Sequence, residues 1–319
     1  MRSKYEIRKT SDERRATIIC AKSAGFCFGV ERAIKLANQA AKKNRAKVYT
    51  LGPLIHNPQE VRRLEKKGII PVSDLKKVGN NLVIIRSHGI SPEGWEEIKK
   101  KKLKFIDTTC PFVLKAQKLA QKLQKEGYFV IVVGEKNHPE IKNIIGYTNG
   151  RAVAIGGVKD LKNIPSGERR IGVISQTTQT LETFIEVINE LLLRYRELKI
   201  YNTICQATTE RQKEAKAVAE KVGIMLVIGG RNSANTTHLA GICGDTGAKV
   251  YHIETDDEIK GDWVKNNDKI GITAGASTPD WIIRGVIKKL LSFRAAVGAT
   301  RRVARNGRAR HRLAPTEDL

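Results

Sequence analysis

Leu103-Lys104-Phe105-Ile106-Asp107-Thr108-Thr109-Cys110-Pro111 reads as a short apolar run, a thiol, and a proline suited to the first turn of a helix. The amphipathic stretch after it stops with Gly127 just past its end. The same passage from strand to thiol to helix occurs twice more. Thr17-Ile18-Ile19-Cys20-Ala21 precedes Cys27, and Leu198-Lys199-Ile200-Tyr201 precedes Cys205. Beyond Cys27, Val30, Ala33, Ile34 and Ala37 share one helical stripe; beyond Cys205, Ala215, Val218, Ala219 and Val222 do the same, closed by Gly223.

The repeat extends further along each unit. The next strand ends in glycine at Gly52, Gly134 and Gly229, which lie 25, 24 and 24 residues after their cysteines. Each glycine is followed by a polar cluster that opens another helix: Ile55-His56-Asn57-Pro58-Gln59-Glu60, Asn137-His138-Pro139-Glu140 and Asn232-Ser233-Ala234-Asn235-Thr236. A third strand then ends in Arg86-Ser87-His88-Gly89, Ser175-Gln176-Thr177-Thr178 or Ala274-Gly275-Ala276-Ser277. Short apolar runs at 47–51, 82–85, 129–133, 171–174, 225–228 and 270–273 alternate with helical segments, the pattern of parallel sheets covered on both faces.

The fold expected is therefore α/β, with three pseudo-equivalent α/β units whose parallel sheets surround a central site. The units span 17–109, 110–204 and 205–293, with an N-terminal extension over 1–16 and a basic tail over 294–319. Ligands of open α/β sheets gather at the carboxyl ends of strands, where all the polar residues named above fall.

The 319 residues are 40% hydrophobic, enough for sizeable cores. Runs such as 128–133 and 224–228 are far shorter than the roughly 20 residues that span a bilayer, so no membrane is expected. The N-terminal segment carries both signs of charge and no apolar centre, unlike a signal peptide. With five cysteines, an odd number, the expected compartment is a reducing cytoplasm. The net charge of +25 is concentrated partly in the tail, where seven arginines meet Glu317 and Asp318, and much of the rest is lysine on solvated helix faces. That tail is expected to be disordered, and any nucleic-acid contact is expected from it alone.

Three thiols at helix N-termini are expected to have lowered pKa values and to suit soft metals. The closely spaced cysteine pairs of a structural zinc site are absent. Three cysteines meeting on a pseudo-threefold axis would hold three irons of a [4Fe–4S] cluster and leave the fourth without a protein thiolate. Cys20, in a strand, and Cys243, within Leu239 to Gly244, fall outside the pattern and read as core thiols. His56, His88, Ser233, Asn235 and Ser277 offer hydrogen bonds for a diphosphate held from several units. Singly, each also fits a cap or turn. Glu140, beside such a site, is the candidate for relaying protons.

At this point the residues resemble a known family. Ala24-Gly25-Phe26-Cys27-Phe28-Gly29-Val30, Gly52-Pro53-Leu54-Ile55-His56-Asn57, Arg86-Ser87-His88-Gly89, Asp107-Thr108-Thr109-Cys110-Pro111, His138-Pro139-Glu140, Ser175-Gln176-Thr177-Thr178, Cys205-Gln206-Ala207-Thr208-Thr209-Glu210-Arg211-Gln212 and Thr273-Ala274-Gly275-Ala276-Ser277 are similar to the 4-hydroxy-3-methylbut-2-enyl diphosphate reductases of the non-mevalonate isoprenoid pathway. The resemblance implies a [4Fe–4S] cluster on Cys27, Cys110 and Cys205. It implies a small diphosphate substrate bound by His56, His88, His138, Ser233, Asn235 and Ser277, and electrons from a donor protein such as a ferredoxin or flavodoxin. Thr177 would meet the substrate hydroxyl and Glu140 would deliver the proton, with His138 beside it. Ala234 stands where many members carry a second serine. A metal-binding or RNA-binding protein without reductase activity is the alternative reading.

Overall fold

The computed structural model describes residues 17–44, 47–265 and 269–294. The expected extension over 1–16 and the tail beyond residue 294 lie outside the described residues. Among the described residues, twelve strands form three parallel sheets of four. The first sheet holds β2 (Val48–Leu51), β3 (Ile69–Val72), β4 (Leu82–Ile85) and β5 (Phe105–Asp107) in the order β3-β2-β4-β5. The second holds β6 (Phe129–Val133), β7 (Ala152–Ile155), β8 (Arg170–Ser175) and β9 (Glu197–Ile200) as β7-β6-β8-β9. The third holds β10 (Ile224–Ile228), β11 (Lys249–Ile253), β12 (Lys269–Ala274) and β1 (Thr17–Cys20), and from the same end reads β11-β10-β12-β1.

The three orders are identical, which is the repeat seen in the sequence. One assignment is corrected: β1, grouped in the sequence with residues 17–109, pairs with β12 from Thr17 opposite Lys269 to Cys20 opposite Ile272. It is the third sheet's fourth strand, equivalent to β5 and β9. Each fourth strand completes one sheet and hands its chain, cysteine first, to the helix that opens the next unit. By completing the third sheet, β1 joins that unit to the chain that leads into the first.

Apolar side chains cover both faces of the sheets, as parallel strands require. On the first sheet, Val30, Ala33, Ala37 and Ala40 of α1 (Phe28–Lys43) pack on Val48, Ile69 and Ile84, while Val83 and Ile85 face Ile98 of α3 (Pro92–Lys100). On the second, Ala116, Ala120 and Leu123 of α4 (Pro111–Lys125) meet Val130, Val132 and Ile174, and α6 (Leu181–Leu192) covers the other face with Phe184, Val187 and Leu191. On the third, Ala215 and Val218 of α7 (Gln206–Ala219) join Leu226, Ile270 and Ile272. Each fully buried Ile, Leu or Val side chain contributes on the order of 1.5–3 kcal/mol, so every unit carries its own core. Cys243 is fully buried and Cys20 packs against that third core, as expected of core thiols. No helix among the described residues is long and apolar enough to cross a membrane.

Candidate functional site

Cys27, Cys110 and Cys205 are the N-caps of α1, α4 and α7, and none of the three spends its side chain on capping. One backbone bond repeats at all three. The amide of Cys27 donates to Ala276 O at 3.1 Å, that of Cys110 to Ser87 O at 2.9 Å and that of Cys205 to Thr177 O at 3.0 Å. The acceptors follow β12, β4 and β8, the third strand of each unit. Each sheet thus fixes the next unit's cysteine at its carboxyl edge, where the sequence repeat placed it.

All three thiols line one cavity, together with His56, His88, His138, Glu140, Thr177, Ser233, Asn235 and Ser277. Every candidate site residue of the sequence therefore reaches the same space. Gly29 supplies the close approach: a Cβ there would lie 2.8 Å from Cys110 Sγ and 4.0 Å from Cys27 Sγ. Across the units, Arg32 Nη1 donates to Thr109 O at 3.4 Å and ties α1 to the segment before Cys110.

The expected lowering of the thiol pKa is corrected at Cys110 and Cys205. Burial pushes Cys110 up to about 11, and the amides of Phe112 and Val113 at the helix terminus only partly offset it; the nearby Cys27 and Cys205 raise it further. Burial likewise raises Cys205, against the hydroxyl and amide of Thr208. Desolvation outweighs the helix terminus here. Three mutually destabilising thiolates away from water call for a cation among them, and metal binding displaces thiol protons. The donor set therefore fits an iron–sulfur cluster.

The opposite part of the site is built from α2 (Pro58–Glu65), α5 (Pro139–Gly146) and α8 (Ala234–Gly244), capped by Asn57, His138 and Ser233. Asn57 accepts from the amide of Glu60 at 2.9 Å, which fixes the loop carrying His56. Ser277 Oγ donates to His56 O at 3.0 Å, so the last unit also holds that loop. The imidazoles of His56, His88 and His138 cluster with centroids 4.5, 5.1 and 5.3 Å apart. Their nitrogens lie within 4.8 Å of one another, close enough to hold a metal ion.

Arg86 decides between a cation and an anion. Burial first, and then the positive charge of Arg86, holds His56 down at about 4. Burial, His56, Arg86 and His238 hold His138 at about 3, and His88 lies well below its ordinary value for the same kinds of reason. A guanidinium beside three imidazoles repels a metal dication and attracts an anion. His56 Nε2, His88 Nδ1 and both amide atoms of Asn235 are buried without a protein partner. Unsatisfied buried polar atoms are costly, and a bound anion with several acceptor oxygens satisfies donors of this kind. Ala234 lines the cavity where it offers no hydroxyl, and Ser233 Oγ doubles as the cap of α8, accepting from Thr236 N at 3.4 Å.

Between these parts is a carboxyl group. Glu140 is 1% exposed, and burial raises its pKa against two hydrogen bonds from Thr177, whose amide donates to Oε1 at 2.6 Å and whose hydroxyl donates to Oε2 at 2.8 Å. His138 Nδ1 accepts the amide of Glu140 at 3.2 Å, which fixes its ring and leaves Nε2 as the remaining nitrogen. Arg86, Gly29 and Arg211 were quoted within motifs but given no role; each owes its importance to a neighbour distant in sequence.

A family model described as LytB protein matches residues 18–291. The 4-hydroxy-3-methylbut-2-enyl diphosphate reductase of Geobacter sulfurreducens is 46% identical over 276 residues, covering 86% of this chain and 97% of that relative. The solved structure of (E)-4-hydroxy-3-methyl-but-2-enyl diphosphate reductase, the terminal enzyme of the non-mevalonate pathway, superimposes with a TM-score of 0.66 at 46% identity, covering 87% of this chain and 99% of that one. The E-1-hydroxy-2-methyl-but-2-enyl-4-diphosphate reductase of Plasmodium falciparum does so with a TM-score of 0.81 at 29% identity, covering 86% and 87%. Matched along nearly all of its described length, the chain belongs to the LytB protein family, that of the 4-hydroxy-3-methylbut-2-enyl diphosphate reductases.

Proposed function

We propose that the chain converts 4-hydroxy-3-methylbut-2-enyl diphosphate to isopentenyl diphosphate and dimethylallyl diphosphate by reductive removal of the allylic hydroxyl, using a [4Fe–4S] cluster held by Cys27, Cys110 and Cys205. What carries this reading is a single cavity that collects three thiols from three units, an anion cradle and a buried carboxyl group. When bound, the cluster supplies electrons and a Lewis-acidic iron.

The chain's own residues supply the rest. His56, His88, His138, Ser233, Asn235 and Ser277 grip the diphosphate and set the direction in which the hydrocarbon end points. Thr177 hydrogen-bonds the substrate hydroxyl. Burial favours the protonated form of Glu140; with the proton on Oε2 the 2.8 Å bond runs from Glu140 to Thr177 Oγ, whose own hydrogen turns to the leaving oxygen, so the acid's proton is relayed through Thr177. Each turnover consumes two electrons and two protons and releases the oxygen as water. The electrons come from a protein donor of the ferredoxin or flavodoxin type. All five cysteines are free, which accords with a reducing cytoplasm.

Anaerobic purification with iron and sulfide analysis, followed by turnover with the substrate and a chemical reductant, tests the proposal. Equal iron and sulfide, with both isoprenoid diphosphates as products, is the expected result. Equal turnover by chain freed of iron overturns the cluster assignment.

A further inference from the structure

Arg211 lies on α7, within two turns of Cys205, and is 3% exposed. Its Nε and Nη2 donate to Ser23 O at 3.0 and 2.7 Å, and Nη2 also reaches Gly25 O at 2.7 Å. Nη1 is buried with no partner. Burying a guanidinium costs several kcal/mol, and a carboxylate commonly offsets that. None among the described residues pairs with Arg211. The neighbouring Glu214 instead accepts the amides of Lys22 and Ser23, each at 2.7 Å.

The threefold repeat shows that the fold does not require this cation. Six residues after Cys27 and Cys110, the equivalent helix positions hold Ala33 and Ala116, both fully buried core alanines. Only the third unit places a charge there. The side chain lines the cavity that contains the three thiols, and its charge interacts first with Cys27 and Cys205 and then with Glu214, which is not within ion-pair distance.

We infer that Arg211 is a positioning residue of the cluster site, a fixed counter-charge to its sulfurs that also clamps the segment leading to Cys27 onto the helix that begins at Cys205. The inference rests on the cluster proposed above. Reduction adds negative charge to such a cluster, so a buried positive charge beside it stabilises the reduced form and raises its potential. Arginine suits the position because its planar fork reaches two carbonyls while keeping its charge.

The test compares the anaerobic, cluster-loaded wild type with Arg211→Gln and Arg211→Lys, reading the midpoint potential by titration alongside iron content. The expected result is a more negative potential in Arg211→Gln and one close to wild type in Arg211→Lys. An unchanged potential in Arg211→Gln overturns the assignment. Equal displacement in both variants does so too, because the loss would then trace to the carbonyl bonds and not to the charge. Should Arg211→Gln not fold, Arg211→Lys decides alone: a retained potential supports the counter-charge and a displaced one refutes it. A wild-type chain that binds no cluster overturns the proposed function itself, an outcome distinct from these.

Discussion

Thr177 binds both oxygens of the Glu140 carboxyl group, with its amide on Oε1 and its hydroxyl on Oε2, while its own carbonyl accepts the amide of Cys205. Thr177, two residues after β8, thus joins the buried acid to a candidate cluster ligand. Burial raises the Glu140 pKa and the two bonds from Thr177 restrain that rise. A proton held there would serve the relay proposed above.

Glu140→Gln keeps the shape and the amide bond of Thr177 but has no proton to give. It is expected to retain cluster iron and to lose turnover by roughly 10²–10⁴-fold, the usual contribution of a positioned acid. Steady-state kinetics with parallel iron analysis reads both, and unimpaired turnover would remove Glu140 from the proton path.

The histidine cluster makes the chain sensitive to acid. His56 is held near 4 in the fold and titrates near 6.5 when unfolded, so the unfolded chain binds a proton that the folded chain refuses. Stability is therefore intact above about pH 6.5 and falls as pH drops toward 4, by at most about 3 kcal/mol from this residue. Inorganic diphosphate reverses the sign of the local field, so it should bind more tightly as pH falls and restore stability. Thermal melts across this range, with and without diphosphate, check it; a melting temperature indifferent to diphosphate would count against an anion site.

Cys110→Ser is expected to lose most cluster iron, whereas Cys20→Ser and Cys243→Ser should keep it. Cys110 opens α4 on the cavity, and the other two belong to the third core. Iron and sulfide per chain with visible absorbance distinguishes them, and full iron in Cys110→Ser would refute the ligand set.

Gly29→Ala separates folding from cluster binding. Alanine favours a helix over glycine by roughly 1 kcal/mol. Its Cβ would nevertheless stand 2.8 Å from Cys110 Sγ, where one of the two must shift. The variant is expected to melt no lower than the wild type without cluster and to hold less iron when reconstituted. Iron content matching the wild type would show that the sulfur has room to move.

The central strands, the cysteine-led helices and the polar strand ends could be read from the sequence because each is written in local spacing. The edge strands β3, β7 and β11 were not among the strands read there. β3 is interrupted by Pro71 and β11 begins at an exposed Lys249, so neither gives the continuous apolar run of a buried strand. The placement of β1 was also beyond local reading, since four residues specify a strand but not which sheet needs a fourth member. The site divides in the same way. Its cysteines, with His56 and His88, stand out by recurrence and Glu140 by its place beside them, whereas the neighbours of Gly29, Arg86 and Arg211, namely Cys110 Sγ, the imidazole cluster, and Cys27 with the segment before it, are brought to them by the fold. Spacing alone suggested thiols eased toward their anions by helix termini; folding buried Cys110 and Cys205 and reversed the balance at both. Sequence determined the repeating unit and its chemistry-bearing positions, because periodicity is a property of neighbours along the chain. Tertiary structure alone decided strand partners, charge proximity and protonation, because these depend on which distant segments exclude water together.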